Sequence, residues 1–117
     1  MSESVRLHVG SIEEMGKRFV DAWHQLERGK AVKETHLTFF SLEDMVATLS
    51  PKRLELLKHL RRHPATSISA LAKTLGRDYK RIHADVSALA HAGLIVRDEK
   101  GIRAPYGNVH AAVSLDT

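Results

Sequence analysis

Residues 67–106 read SISALAKTLGRDYKRIHADVSALAHAGLIVRDEKGIRAPY, and this stretch decides the fold of the chain. It predicts a short helix that begins near Ser69 and a longer helix at about 78–92, because apolar residues recur there at helical spacing. Gly76 separates the two helices and Gly93 closes the second, since glycine takes a positive φ at little cost. The stretch therefore begins as a helix-turn-helix.

A β-hairpin is predicted after the second helix. The apolar runs 94–97 and 102–104 indicate two short strands, and residues 98–101 between them, Asp-Glu-Lys-Gly, are typical of a turn. Two helices joined by a glycine-containing turn and followed by a hairpin have the order of a winged helix-turn-helix, in which the hairpin is the wing.

Another helix is predicted ahead of this pair, at about 51–62. Ser50 can cap it, and Pro51 suits the first helical position because the N–H it lacks would have no helical partner there. His63-Pro64 ends it, since the residue before proline is pushed out of helical geometry. Residues 50–107 are therefore predicted to form a winged helix-turn-helix domain. The apolar stripe of this first helix contains Leu54, Leu56, Leu57 and Leu60, and Leu49 is placed to pack on Leu54.

The predicted domain carries most of the positive charge of the chain. Residues 50–107 hold 12 Lys and Arg against 5 Asp and Glu, a net charge of +7, whereas the whole chain has +4. A basic, asymmetric charge on a small helical domain is typical of nucleic-acid binding, because each phosphate contact releases condensed counterions. An ordinary solvated surface rich in Lys and Arg is the alternative, and the helix pattern beneath the charge favours DNA.

The helix at 78–92 has an outward face without acids, opposite its apolar stripe. Long cations on that face can donate to guanine in a major groove, and small residues among them permit close approach. Asp78 is predicted to cap the helix, and an ordinary exposed face is the alternative interpretation. The candidate recognition residues are Arg77, Lys80, Arg81, Ala84 and Ser87.

The hairpin adds a second group of cations. Arg97, Lys100 and Arg103 lie on or near the predicted wing and are placed for backbone phosphates, which fix register without reading sequence. A solvated hairpin with incidental charges is the alternative. Ser69 and Lys52 are weaker DNA-binding candidates.

The stretch quoted above resembles the winged-helix segment of MarR-type transcriptional regulators. With FFSLEDMVATLSPKRLELLKHL before it and VHAAVSL after it, the chain is similar over about residues 35–115 to small winged-helix proteins described as regulators or antitoxins of toxin–antitoxin gene pairs. The resemblance implies binding to double-stranded DNA, autorepression and a cognate toxin as partner. MarR proteins build their dimer from long terminal helices. The ends of this chain indicate strands, so that dimer geometry does not carry over.

Both ends of the chain alternate apolar and polar residues as half-buried strands do, at 5–9 and 109–115. A helix capped by Ser11 and ending at Gly29, a short strand around 37–40 and a short helix at about 42–48 are predicted between them and the domain. The predicted fold class is α+β and mainly helical: an N-terminal strand-helix-strand extension over residues 1–49, the winged helix-turn-helix over 50–107 and a C-terminal strand over 108–117.

The terminal strands suggest a homodimer. Three short strands need to pair with each other or across a subunit boundary, because open edges are templates for association. Proteins that bind operators usually need two half-sites, which favours pairing or packing of at least one strand across a two-fold axis. Residues 1–49 would then serve dimerisation or partner binding. Filling the core of one monomer is the alternative role for these strands.

Composition narrows the class of protein further. The chain has 117 residues, 43% of them hydrophobic, which suits one modest core. It contains no cysteine, no run of about 18 apolar residues and no secretory signal pattern, so we expect a cytoplasmic protein without a membrane span.

An enzyme is not expected. The chain has none of the common nucleophile, metalloprotease, P-loop or dinucleotide-binding patterns. His59 and His63 could share a helix face as metal ligands do, but no third ligand follows at a recognisable spacing, and neither a metal nor a cofactor is predicted. Two hypotheses remain: a sequence-specific DNA-binding regulator, or a protein-interaction module that uses a winged-helix scaffold and meets an acidic partner.

Overall fold

The structure, a computed structural model, describes residues 3–10 and 35–112. Over these ranges the fold is α+β, with four helices and with strands in two sheets. The helix predicted after Ser11 and the part of the C-terminal strand beyond residue 112 lie outside the described residues. The elements are β1 (Ser4–Val9), β2 (Thr35–Phe39), α1 (Leu42–Thr48), α2 (Pro51–Arg62), α3 (Ile68–Leu75), α4 (Tyr79–Ala92), β3 (Val96–Asp98), β4 (Gly101–Arg103) and β5 (Asn108–Ala112).

The chain divides into two compact units. One consists of Val46–Gly107 and contains α2, α3, α4 and the β3–β4 hairpin; the other consists of Met1–Met45 with Asn108–Thr117 and contains the remaining sheet. None of the helices in the described ranges has the length and apolarity that a bilayer crossing requires.

Helix α2 occupies the predicted positions. The Ser50 side-chain oxygen accepts a hydrogen bond from the Arg53 N–H at 3.3 Å, and Pro51 is the first helical residue. Leu56, Leu57 and Leu60 are buried, as the apolar stripe requires. Leu54, which was predicted to belong to that stripe, is 39% exposed because it lies at the edge of the buried face.

Helix α3 begins one residue earlier than predicted. Ser67 is its cap, with extended backbone and a side-chain oxygen that accepts from the Ala70 N–H at 3.0 Å, so Ser69 lies inside the helix. The buried side chain of Ile68 belongs to the helix and explains the earlier start. Gly76 ends α3 at φ 62°, which confirms the predicted glycine turn.

Helix α4 supplies the centre of the core in this unit. Asp78 caps it as predicted, accepting from the Arg81 N–H at 3.3 Å, and Gly93 closes it at φ 91°. The side chains of Ile82, Val86 and Leu89 have no solvent exposure.

The hairpin forms around the predicted turn, but both strands lie closer to that turn than predicted. Strand β3 begins at Val96, and Leu94 and Ile95 ahead of it are buried in the core. Asp98 pairs with Gly101, so the turn itself is shorter than predicted. Two hydrogen bonds between Ala65 and Ile102, at 2.9 and 2.8 Å, join the hairpin to the segment between α2 and α3.

The other sheet is parallel, with strand order β2-β1-β5. Val5 and Leu7 of the central strand are fully buried, in agreement with the predicted alternation. Consecutive parallel strands need a long crossover, and residues 11–34 provide its length between β1 and β2. The three strands pair with each other within one chain, which is one of the two arrangements that the sequence left open.

Candidate nucleic-acid interface

The unit Val46–Gly107 contains all 12 Lys and Arg and all 5 Asp and Glu counted in residues 50–107, so it keeps the charge of +7. Its ion pairs engage four of the cations: Arg53 and Arg77 with Asp85, Arg103 with Asp98, and Lys52 with Glu55. The other eight make no ion pair within the part of the chain that the structure describes. They are Lys58, Arg61, Arg62, Lys73, Lys80, Arg81, Arg97 and Lys100.

Asp85 of α4 joins two arginines in one bridge. Its Oδ1 lies 3.1 Å from Arg53 Nε of α2, and its Oδ2 lies 3.0 Å from Arg77 Nη2 just before α4. All three side chains are largely shielded, with exposures of 21%, 15% and 22% for Arg53, Asp85 and Arg77. Arg53 also donates to the Ala47 carbonyl at 3.0 Å. The bridge therefore fixes α4 relative to α2 and directs Arg77, a predicted recognition residue, inward to a carboxylate.

Lys80 and Arg81 have a different setting. Both are exposed on the first turn of α4, and no carboxylate in the described ranges lies within ion-pair distance of either. Ala84, one turn further along, is also exposed, whereas Ser87 is half-buried. The outward face of α4 thus combines two unneutralised cations with a small residue, as predicted for these positions.

Tyr79, next to Lys80 in the sequence, is exposed and was not among the predicted site residues. It is the first residue of α4, it is 50% exposed, and its ring lies 6.1 Å from the His83 ring, centroid to centroid. An aromatic residue directly before Lys80 and Arg81 was the available signal in the sequence. Tyrosine in such a position offers a phenolic donor and a flat apolar surface.

The hairpin cations fall into two groups. Arg97 and Lys100 are exposed and make no ion pair in the described part of the chain. Arg103 Nη1 lies 2.6 Å from Asp98 Oδ2, and Asp98 Oδ1 accepts from the Lys100 N–H at 2.9 Å. The hydrogen bond from Arg103, followed by that from the Lys100 backbone, lowers the pKa of Asp98 below its ordinary value. Asp98 therefore holds the turn and partly neutralises Arg103.

A groove of about 310 Å³ brings some of these residues together. It lies where the start of α3, the start of α4 and the hairpin meet, and it is lined by Ser69, Tyr79 and Arg97 among others. Thr66 and Ser67 belong to the same lining. Lys52, the other weaker candidate, is not part of it and lies 3.8 Å from Glu55 on the exposed surface of α2.

His59 and His63 have the spacing of metal ligands on one helix face. The rings of His59 and His63 are 5.3 Å apart, centroid to centroid, at the end of α2. Over residues 3–10 and 35–112, no group of three or more His, Cys, Asp or Glu side chains is placed to hold a metal ion.

The fold and this surface define a small α+β protein with a basic unit of three helices and a hairpin. The chain belongs to the HVO_A0114 family, whose model matches residues 48–111, more than half of the 117 residues. The match covers almost all of the basic unit and most of β5. No curated protein and no solved structure shows significant similarity to the chain.

Proposed function

We propose that this protein is a sequence-specific DNA-binding transcriptional regulator. In this proposal the unit Val46–Gly107 is a winged helix-turn-helix, α4 enters the major groove, and the β3–β4 hairpin is a wing that contacts phosphates. The observation that carries the proposal is the outward face of α4, where Lys80 and Arg81 are exposed beside Ala84 without a carboxylate partner in the described residues.

The use of the acidic residues supports this interpretation. Asp85 and Asp98 neutralise arginines within the unit, and Asp78 caps α4, so these acids are occupied by the fold itself. Cations with no internal partner remain on the surface, where binding to a polyanion releases counterions. An ordinary solvated surface mixes acids among its bases, and α4 does not do so on this face.

The candidate residues have different roles in binding DNA. Lys80 and Arg81 read base edges, and Ala84 and Ser87 allow close approach. Arg97 and Lys100 contact phosphates, with Ser69 and Tyr79 in the adjoining groove as further contacts. Arg77 becomes a positioning residue, because its pairing with Asp85 orients α4 rather than presenting a guanidinium to DNA.

We further propose that the regulator acts as a homodimer in the cytoplasm and represses its own gene. The dimer supplies two recognition helices to an inverted repeat whose half-sites lie about one helical turn, ~34–36 Å, apart or a multiple of it. The antitoxin role, with a cognate toxin bound to the sheet unit, rests on the resemblance of residues 35–115 to that group of proteins.

The test is selection of bound sequences from a random duplex library, followed by mobility shifts with the enriched site. We expect an inverted repeat and a specific affinity that falls by ~1–3 kcal/mol in Lys80→Ala or Arg81→Ala if that side chain reads a base edge. Lys58→Ala is the matched control, because it removes an exposed cation from α2 rather than α4.

If the library yields no enriched sequence, or if Lys80→Ala and Arg81→Ala bind like the parent with their circular dichroism unchanged, α4 does not read DNA. The protein-interaction module would then be the better account of the same basic surface.

A further inference from the structure

Strand β5 is an edge strand with unusual exposure. Among the described strands its one neighbour is β1, and all five residues of Asn108–Ala112 are exposed. Parallel sheets are normally covered on both faces by other parts of the protein. A parallel strand that is exposed along its whole length therefore lacks the cover that such strands usually have.

The backbone of β5 has hydrogen-bonding groups directed away from the sheet. The Asn108 N–H donates to the Glu3 carbonyl at 3.4 Å, which places the backbone groups of Asn108 towards β1. Because these groups alternate along a strand, those of His110 and Ala112 also face β1, and those of Val109 and Ala111 point to the open edge. No hydrogen bond to these outward groups is present in the described part of the chain.

The apolar face of the sheet continues onto β5. Val109 lies beside Val5, and Ala111 lies beside Leu7, on the same face of the sheet. Val5 and Leu7 are fully buried, whereas Val109 is 39% exposed and Ala111 is exposed. The cover of this face thus decreases from β1 to β5, and an apolar margin remains partly exposed.

The sequence of β5 has none of the features that usually protect an edge. Residues 108–112, Asn-Val-His-Ala-Ala, contain no Lys, Arg, Asp, Glu or Pro. Charged side chains and prolines are the common means by which natural edge strands avoid pairing with another chain. Their absence on a strand with two outward residues favours pairing as the role of this edge.

We propose that β5 is the dimer interface and pairs antiparallel with β5 of a second copy around a two-fold axis at His110. An edge strand is self-complementary in this arrangement, because both copies present the same outward donors and acceptors. The axis at His110 pairs all five described residues, with Val109 opposite Ala111 of the partner subunit. The two three-stranded sheets then join into one. This inference gives the location of the homodimer contact and rests on the homodimer of the proposed function.

The first test uses Ala111→Pro and measures the mass in solution without DNA. Proline removes the outward N–H of residue 111 and leaves the ladder between β1 and β5 intact, since that ladder uses the alternate residues. Light scattering should give twice the 13.1 kDa chain mass for the parent and the single chain mass for the variant. Circular dichroism establishes that the variant is folded.

The second test determines the register and does not depend on the proline variant. The chain has no cysteine, so His110→Cys introduces a unique thiol on the proposed axis. On this axis the two copies of residue 110 form a non-hydrogen-bonded pair, because their backbone groups face β1. The Cα atoms of such a pair lie ~4.5 Å apart, within the range of a disulfide. Asn108→Cys is the matched control, because its counterpart would be four residues away, ~13 Å. Mild oxidation should cross-link His110→Cys and leave Asn108→Cys largely uncross-linked.

Three results would overturn the inference: a monomeric parent protein, a folded Ala111→Pro variant that stays dimeric, or equal cross-linking of the two cysteine variants. None of these measurements involves DNA. A dimer that forms through another surface would therefore disprove the β5 interface and leave the DNA-binding proposal intact. A β5 dimer that binds no DNA would support the interface and contradict the DNA-binding proposal.

Discussion

Asp85 of α4 accepts a hydrogen bond from Arg53 of α2 at 3.1 Å across 32 positions of sequence. The same carboxylate pairs with Arg77, so one acid compensates two arginines in a partly shielded site. Two cations near one acid leave a net positive charge at the junction of α2 and α4. The bridge therefore orients α4 and adds to the positive potential of the surface that we assign to DNA.

Replacement of Asp85 by Asn should destabilise the unit by about 1–3 kcal/mol, because it leaves two largely shielded guanidinium groups without a compensating charge. Urea unfolding followed by circular dichroism measures the change. Glu55→Gln is the control, since its ion pair with Lys52 is exposed on both sides and such pairs contribute about 0–1 kcal/mol. Equal midpoints for the two variants would show that the bridge does not stabilise the fold.

The hairpin cations should differ in their effect on the salt dependence of DNA binding. Arg97→Ala and Lys100→Ala should each reduce the slope of log K against log salt concentration by about one unit, as loss of a phosphate contact does. Arg103→Ala should reduce it less, because Asp98 already neutralises part of the Arg103 charge. Affinities measured at four or more salt concentrations give the slopes. A larger reduction in Arg103→Ala than in Lys100→Ala would mean that Arg103 leaves Asp98 on binding.

Gly101→Ala should destabilise the hairpin strongly. Gly101 has φ 129°, and an added Cβ would collide with the backbone carbonyl oxygen of Ala65, so both conformation and space exclude a side chain. We expect a loss of about 1–3 kcal/mol in unfolding free energy. Gly76→Ala is the matched control, because Gly76 also has a positive φ, at 62°, but its Cβ would meet nothing within 4 Å. The larger loss should occur at Gly101, and the reverse order would contradict the packing argument.

The hairpin should loosen in acid through Asp98. The pKa of Asp98 is lowered in the folded state, so its contribution to stability is present above the pKa of the unfolded chain and is lost as pH falls through the lower folded value. Amide chemical shifts of residues 98–103 should move over that acidic range. In Asp98→Asn this transition should be missing. Its persistence in the variant would assign the titration to another carboxylate.

The sequence by itself determined the helices of the unit Val46–Gly107 and their ends, apart from the start of α3, which lies one residue earlier than predicted. Ser50-Pro51, Asp78 and the glycines at 76 and 93 act on the backbone of their immediate neighbours, through a cap hydrogen bond or a permitted positive φ. Local interactions of this kind depend on residues within four positions, so spacing predicts them. The exposure of Lys80 and Arg81 followed in the same way from the position of the apolar stripe in α4.

Only the tertiary structure decided which charges are available and how the strands pair. The role of Arg77 depends on Asp85, and the obligatory glycine at 101 depends on the Ala65 carbonyl, a contact between residues far apart in the chain. The parallel order β2-β1-β5 and the burial of Leu94 and Ile95 likewise arise from long-range packing. Such relationships are set by the distances between elements after they have packed, and the periodicity of one segment contains no information about them.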